Sequence, residues 1–249
     1  MTVQGERYFL AHVQKAAGTS LIFRLRRQFG RAAIYPLEPD KGNVAGVISI
    51  DHLLERWRTH RDQIRVVTGH FPLCTTELLD AGFTTLTVLR DPVDRTLSYL
   101  RHHRESSPAD RELPLERIYE DPLRFHGLVH NHMVKMFSLT CDEMTNGVLT
   151  RVEFTPERFE RAKENLANVD ALGLQERFDE FCRDLTQRYG WDLGEPTHVN
   201  RTTPVEVTDR LRSRIIEDNA MDLELYAFAR QLYDERRAGR TPGSVPTGM

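Results

Sequence analysis

Residues 8–20 read Y-F-L-A-H-V-Q-K-A-A-G-T-S, and this stretch decides the fold. Tyr8–Val13 is a short apolar run that passes into a glycine-containing turn, the pattern of a buried strand. Beyond the turn, Leu21, Ile22, Leu25 and Phe29 recur at helical spacing, with Arg24, Arg26 and Arg27 on the other side. Ser20–Phe29 therefore reads as an amphipathic helix, and Gly30 suits its C-terminal cap. A loop between strand and helix points backbone N–H groups at whatever lies above the helix, and the helix end adds positive potential, so an anion is favoured there. Small residues at 16–18 let the backbone approach such a ligand closely. Thr19 and Ser20 add hydroxyls, and Lys15 adds a mobile cation. The nucleoside-triphosphatase loop, G-x-x-x-x-G-K-[ST], is not met, because Val13 stands at its first glycine and Thr19 at its lysine. Taken alone, the loop also fits a tight strand–helix turn with a solvated lysine.

Outward from this unit, Ile64–Thr68 (IRVVT) is a second strand, running into Gly69-His70-Phe71-Pro72. Thr84–Leu89 (TTLTVL) is a third; it ends at Arg90-Asp91-Pro92, and Pro92 suits the first turn of a helix reaching Arg104. Val44–Ile50 reads as a further strand, and Asp51–Arg61 as a helix with Asp51 as its N-cap. Helices follow at Pro114–Glu120, Leu123–Phe137, Pro156–Leu166 and Gln175–Tyr189, with a short strand at Val169–Leu172. Gly190–Val207 is a loop, and Thr208 caps a last helix reaching about Asp234. Strands alternating with helices imply a parallel sheet covered on both faces. The expectation is one three-layer α/β domain over residues 1–234, followed by a disordered Gly/Pro/Ser/Thr-rich tail at 235–249.

The 249 residues carry a formal charge of −3, which gives no support for a nucleic-acid or membrane-surface partner. A local basic pocket remains allowed, since net charge does not describe clefts. Three widely spaced cysteines, Cys74, Cys141 and Cys182, fit neither a disulfide framework nor a zinc pattern; they read as free thiols in a reducing compartment. Met1–Arg7 lacks the apolar stretch of a secretory signal, and no run approaches the ~18 apolar residues that span a bilayer. A soluble, cytoplasmic chain is expected; its oligomeric state is not legible.

A second anion motif lies at Leu89–Leu100, L-R-D-P-V-D-R-T-L-S-Y-L. Arg90 stands at a strand's C-terminal end, where open α/β sheets bind ligands, and its planar fork suits a phosphate. Ser98 lies about two helical turns further on. Asp91 and Arg95, at i and i+4, are spaced to pair on the helix surface.

His12–Ser20 and Leu89–Tyr99 together resemble the two nucleotide-binding motifs of the sulfotransferases, above all the heparan-sulfate 2-O/6-O-sulfotransferase branch, whose loop reads like H-V-P-K-T-A-G-T-S. The resemblance implies a P-loop-like fold and 3′-phosphoadenosine 5′-phosphosulfate (PAPS) as sulfuryl donor. Lys15, Ala17, Gly18, Thr19 and Ser20 would cradle its 5′-phosphosulfate, and Arg90 and Ser98 its 3′-phosphate. Gln14 and Ala16 depart from the family's proline and threonine. The branch places a Gly-His segment after a strand as Gly69-His70 stands here, so His70 is the implied base. Lys15 would meet the leaving phosphate. A late loop closing over the nucleotide makes Arg201 a further candidate. The match weakens beyond residue 162 but extends to about residue 234.

Among the ten histidines, His12 reads as a core residue and His102 and His103 as cleft-lining or solvated. His126 and His130, at i and i+4, lack a third ligand, so no metal is expected. The implied reaction is in-line transfer of a sulfuryl group from PAPS to a hydroxyl of a small-molecule, lipid or glycan acceptor, by a bacterial-type soluble member. Heparan sulfate itself fits poorly, because the chain lacks a basic run for a polyanion. The alternatives are a Mg²⁺-dependent nucleoside-triphosphate kinase and a non-catalytic sensor of adenosine 3′,5′-bisphosphate.

Overall fold

A computed structural model describes residues 6–40, 42–195 and 207–239. Arg201 and most of the 235–249 tail lie outside the described residues. In chain order the elements are β1 (Tyr8–Ala11), α1 (Gly18–Phe29), β2 (Ile34–Tyr35), α2 (Ala45–Ile48), α3 (Ile50–His60), β3 (Val66–Val67), α4 (Thr75–Leu78), β4 (Thr84–Leu89) and α5 (Pro92–Ser106). Then come α6 (Leu115–Tyr119), α7 (Pro122–Arg124), a π-helical turn at Phe125–Val129, α8 (His132–Ser138), α9 (Pro156–Ala167), β5 (Ala171–Leu174), α10 (Phe178–Tyr189), α11 (Asp209–Asp218) and α12 (Ala220–Ala238).

The five strands form one parallel sheet in the order β2-β3-β1-β4-β5. Side chains alternate across a strand, so a strand apolar throughout must be covered twice. Tyr8 and Leu10 pack with Leu21 and Leu25 of α1 and with Leu185 and Trp191 near α10. Phe9 and Ala11 join the opposite core, with Leu53 and Trp57 of α3, Met133 of α8 and Leu225 of α12. Each fully buried large apolar side chain contributes ~1.5–3 kcal/mol, so this double burial holds β1 firmly at the sheet's centre. From β1 the chain goes to one side for β2 and β3 and to the other for β4 and β5. A crevice opens at such a reversal, beyond the strands' C-terminal ends.

Several local expectations are corrected. Residues 44–50 wind into α2 rather than a strand, because the Asn43 side chain accepts from Ala45 N at 2.9 Å and starts a turn. Ser49, not Asp51, caps α3, its hydroxyl accepting from His52 N at 3.3 Å. The segment read as one helix at 123–137 is broken at Asn131, which adopts φ 42°, and the last helix is broken at Asn219. The two breaks serve each other. Asn131 N donates to Asn219 Oδ1 at 2.9 Å, and Asp222 caps α8 by accepting from Met133 N and Val134 N at 3.0 and 2.8 Å. β5 runs two residues later than expected, and α12 continues four residues past Asp234.

The Asp91–Arg95 surface pair does not form. Asp91 caps α5, accepting from Asp94 N at 3.0 Å. Arg95 is fully buried and donates to the carbonyls of Leu128 and Val129 at 3.1 and 3.0 Å. Lys135, also buried, donates to those of His126 and Gly127 at 2.9 and 2.6 Å. Two buried basic side chains thus gather four successive carbonyls of the π-helical turn, which explains why that turn departs from α-helix.

Candidate active site

The loop between β1 and α1 follows from its residue sizes. Lys15 and Ala17 both take left-handed backbone, at φ 64° and 63°, so left-handed residues punctuate the turn. Alternating handedness gathers successive N–H groups into a concavity that suits an anion. Positive φ costs a non-glycine residue of order 1–2 kcal/mol, strain of a kind that collects at functional sites. Ala17, the N-cap residue of α1, gives no side-chain cap and no acid sits in the first turn, whereas α3, α5, α9 and α11 each have a side-chain cap. The first-turn N–H groups of α1 therefore face the cleft beyond β1.

Gly18 is needed for a different reason. A Cβ there would lie 2.0 Å from His12 Cδ2, so the imidazole of His12 rests directly on the glycine. His12 is buried just beyond β1, and its ring centre stands 4.6 Å from that of His70. Gly18→Ala is expected to push the His12 ring aside, disturb both the loop and His70, and weaken anion binding at least tenfold; titration calorimetry checks this.

His70 follows β3, and its amide donates to the Val47 carbonyl at 2.7 Å. Its Nδ1 lies 3.0 Å from the His12 carbonyl oxygen. A carbonyl only accepts, so Nδ1 carries the hydrogen and Nε2 is the basic atom of the neutral ring. Burial, aided by the charge of Lys15, pushes the His70 pKa below the ordinary range, although its bond to His12 opposes this. His12 is pushed well below it by burial and by the neighbouring His70 and Lys15.

Arg90, at the end of β4, donates from Nη1 to the Lys15 carbonyl at 3.3 Å, tying the second anion motif to the first. Its buried Nε has no hydrogen-bond partner among the described residues. Burial and the facing charge of Arg90 lower the pKa of Lys15; burial likewise lowers that of Arg90. Two cations held this close in a partly buried cleft call for an anion between them. Ser98, nearly buried on α5, faces the same space.

These residues line one cleft of about 820 Å³: Lys15, Ala17, Gly18, Thr19, Ser20, His70, Arg90 and Ser98 all border it. Among the described residues, no group of three or more His, Cys, Asp or Glu is placed to hold a metal ion. The sequence reading missed a wall at 175–183, where Gln175, Arg177, Phe178 and Arg183 border the cleft. Its only signal was position, directly after β5 at the same strand edge as the anion motifs. The wall is fixed from two sides. Buried Arg24 of α1 pairs with Asp179 at 3.2 Å, and the Tyr226 hydroxyl of α12 donates to Glu176 at 2.6 Å. Tyr99, His102 and His103 complete the lining from α5.

The residues present fit a nucleotide carrying anionic groups at two ends. The loop and Lys15 would form one anion seat, and Arg90, whose Nε has no partner among the described residues, would form the other with Ser98.

Among named proteins, the chain is 30% identical to heparan-sulfate 6-O-sulfotransferase 2 of Homo sapiens, over 62% of this chain and 30% of the human protein. It is 29% identical to heparan-sulfate 6-O-sulfotransferase 3-B of Danio rerio, over 62% of this chain and 43% of the relative. It is 28% identical to heparan-sulfate 6-O-sulfotransferase 3 of Homo sapiens, over 62% and 39%. The chain thus spans between about a third and less than half of these relatives' length. No protein-family model matches. Among the described residues no helix is long and apolar enough to cross a membrane.

Proposed function

The chain is related to the sulfotransferases, and from that premise we propose that it transfers a sulfuryl group from PAPS to a hydroxyl of a glycan-type acceptor. PAPS supplies an activated sulfuryl group whose departure leaves a phosphate. The observation that carries the reading is the joining of the Lys15–Ser20 loop, Arg90 with Ser98, and His70 in a single cleft. The Arg90–Lys15 hydrogen bond, which ties Arg90 to the loop, supports the same reading. The P-loop-like character of the fold rests on the same strand–loop–helix unit.

The loop N–H groups and Lys15 hold the 5′ end, and Arg90 with Ser98 holds the 3′-phosphate. His70 accepts the acceptor hydroxyl's proton at Nε2, with Nδ1–H anchored on the His12 carbonyl so that the ring keeps one tautomer. Lys15 places positive charge where the leaving phosphate gains negative charge, a group fixed before reaction and therefore cheap to use. The relatives' names supply the glycan acceptor; within the cleft, the wall at 175–183 is where it would be read.

Calorimetry tests the reading. Adenosine 3′,5′-bisphosphate is expected to bind without Mg²⁺ and to be released when PAPS is turned over with a hydroxylated glycan. A chain that ignores this nucleotide but binds ATP with Mg²⁺ refutes it.

A further inference from the structure

The cleft holds two histidine pairs, one from β1 and its neighbour β3 and the other from α5. His12 and His70 stand at the β1 and β3 ends, while His102 and His103 stand on α5, which follows β4. The second pair has no part in the proposed transfer. It lies one helical turn beyond Ser98, so it continues the wall that carries the 3′-phosphate seat.

The surroundings of this pair are specific. The His103 ring packs on that of Tyr99 at 4.4 Å between centres, and Tyr99 is buried with its hydroxyl unpartnered among the described residues. His102 is the more exposed and stands 6.0 Å from His103, ring to ring. The charges facing His102 are Lys15 from the phosphate loop and Glu105 from its own helix. Those facing His103 are Arg124, Asp110, Lys15 and His102. Arg124, paired with Asp110 at 2.8 Å, is the stronger cation at His103, with Asp110 opposing it. Lys15 acts on both imidazoles, more weakly than Arg124 on His103. Burial first, then neighbouring positive charge, keeps both below the ordinary histidine range.

A phosphate ester placed beside Lys15 would offset that ammonium's positive field and add negative charge beside this wall. An imidazole kept neutral by burial and by nearby positive charge then becomes a site for a compensating proton. We propose that His102 and His103 complete the anion pocket, one of them taking a proton from solvent as a phosphate ester binds and donating it as a charge-assisted hydrogen bond. The inference rests on the cleft being a nucleotide seat. It adds a binding role for two residues, and a proton uptake, which that reading does not contain.

The test is titration of adenosine 3′,5′-bisphosphate into the full chain in buffers of different ionisation enthalpy, at neutral pH. The wild type is expected to take up protons on binding. Its affinity should fall as pH rises from about 6 to 8, by up to about tenfold per unit for one linked proton. In the His102→Asn/His103→Asn chain both effects should shrink. Equal uptake by the double variant would assign the proton to the nucleotide or to another group, overturning this inference while leaving the nucleotide seat intact. Failure of the wild type to bind would overturn both. Should the double variant misfold, the exposed His102→Asn alone and the imidazole NMR shifts of the wild type decide. Nucleotide saturation must move a His102 or His103 resonance toward the charged form, and unmoved resonances refute the idea.

Discussion

A His70→Ala chain is expected to lose two to four orders of magnitude in sulfuryl-transfer rate while binding adenosine 3′,5′-bisphosphate nearly as well as the wild type. General-base catalysis typically supplies ~10²–10⁴, and His70 is the cleft histidine with one nitrogen committed to a carbonyl and the other left basic. The nucleotide seats use other residues, so the loss should appear in turnover rather than in nucleotide affinity. Alanine also removes the contact with His12, and a structural role must be separated from a chemical one. His70→Asn does this, because its amide N–H can still donate toward the His12 carbonyl while offering no base. Equal inactivity of both variants, with unchanged nucleotide affinity, marks the imidazole as the base. The pH profile gives a second readout. Burial depresses the pKa of His70, so its neutral, proton-accepting form persists to lower pH than for a free histidine. The acid limb should therefore sit below the ordinary value of about 6.5, and it should vanish in both variants. Transfer retained by His70→Ala would remove His70 from the role.

How much of this was legible depends on how many faces of each element are buried. β1 could be read because a strand covered on both sides becomes an unbroken apolar run, and β4, TTLTVL, because it is rich in β-branched residues. β2 could not: Ile34–Tyr35 is two residues at the sheet's edge, too short for any period. The turn between β1 and α1 showed itself through small residues, and the left-handed backbone at Lys15 and Ala17 fits a turn built for close approach. α5 was harder. Periodicity assigns polar residues to solvent, yet Arg95, Thr96 and Ser98 are all buried on it. Arg95 had the spacing for a surface ion pair with Asp91, and what buried it were carbonyls exposed by an irregular turn more than thirty residues later. The 175–183 wall failed for a similar reason. Its Glu, Arg and Asp residues look solvated in sequence, and only the partners supplied by α1 and α12 turn them toward the cleft. Long-range polar pairing was thus the part that local pattern did not encode.

Lys15→Ala is expected to lower turnover by about 10²–10³, the usual cost of deleting one preorganised group that meets developing negative charge. The ammonium lies in a partly buried cleft facing Arg90, and burial with that neighbour lowers its pKa. Being already disfavoured there, its charge is best relieved by an anion, and most by the leaving phosphate as it gains charge. Lys15 must be protonated to act, so a lowered pKa brings the basic limb of the pH profile below the usual lysine range of about 10.4. The profile should be a bell, with His70 setting its acid side and Lys15 its alkaline side; the alkaline limb should disappear when Lys15 is replaced. Alanine keeps a Cβ at φ 64°, whereas glycine relaxes that backbone. Lys15→Gly should therefore be more stable than Lys15→Ala by about 1 kcal/mol, measured by chemical denaturation, and still be equally slow. If the loop needed only its backbone shape, the glycine variant would regain activity along with stability. If the ammonium is what matters, stability returns and turnover does not.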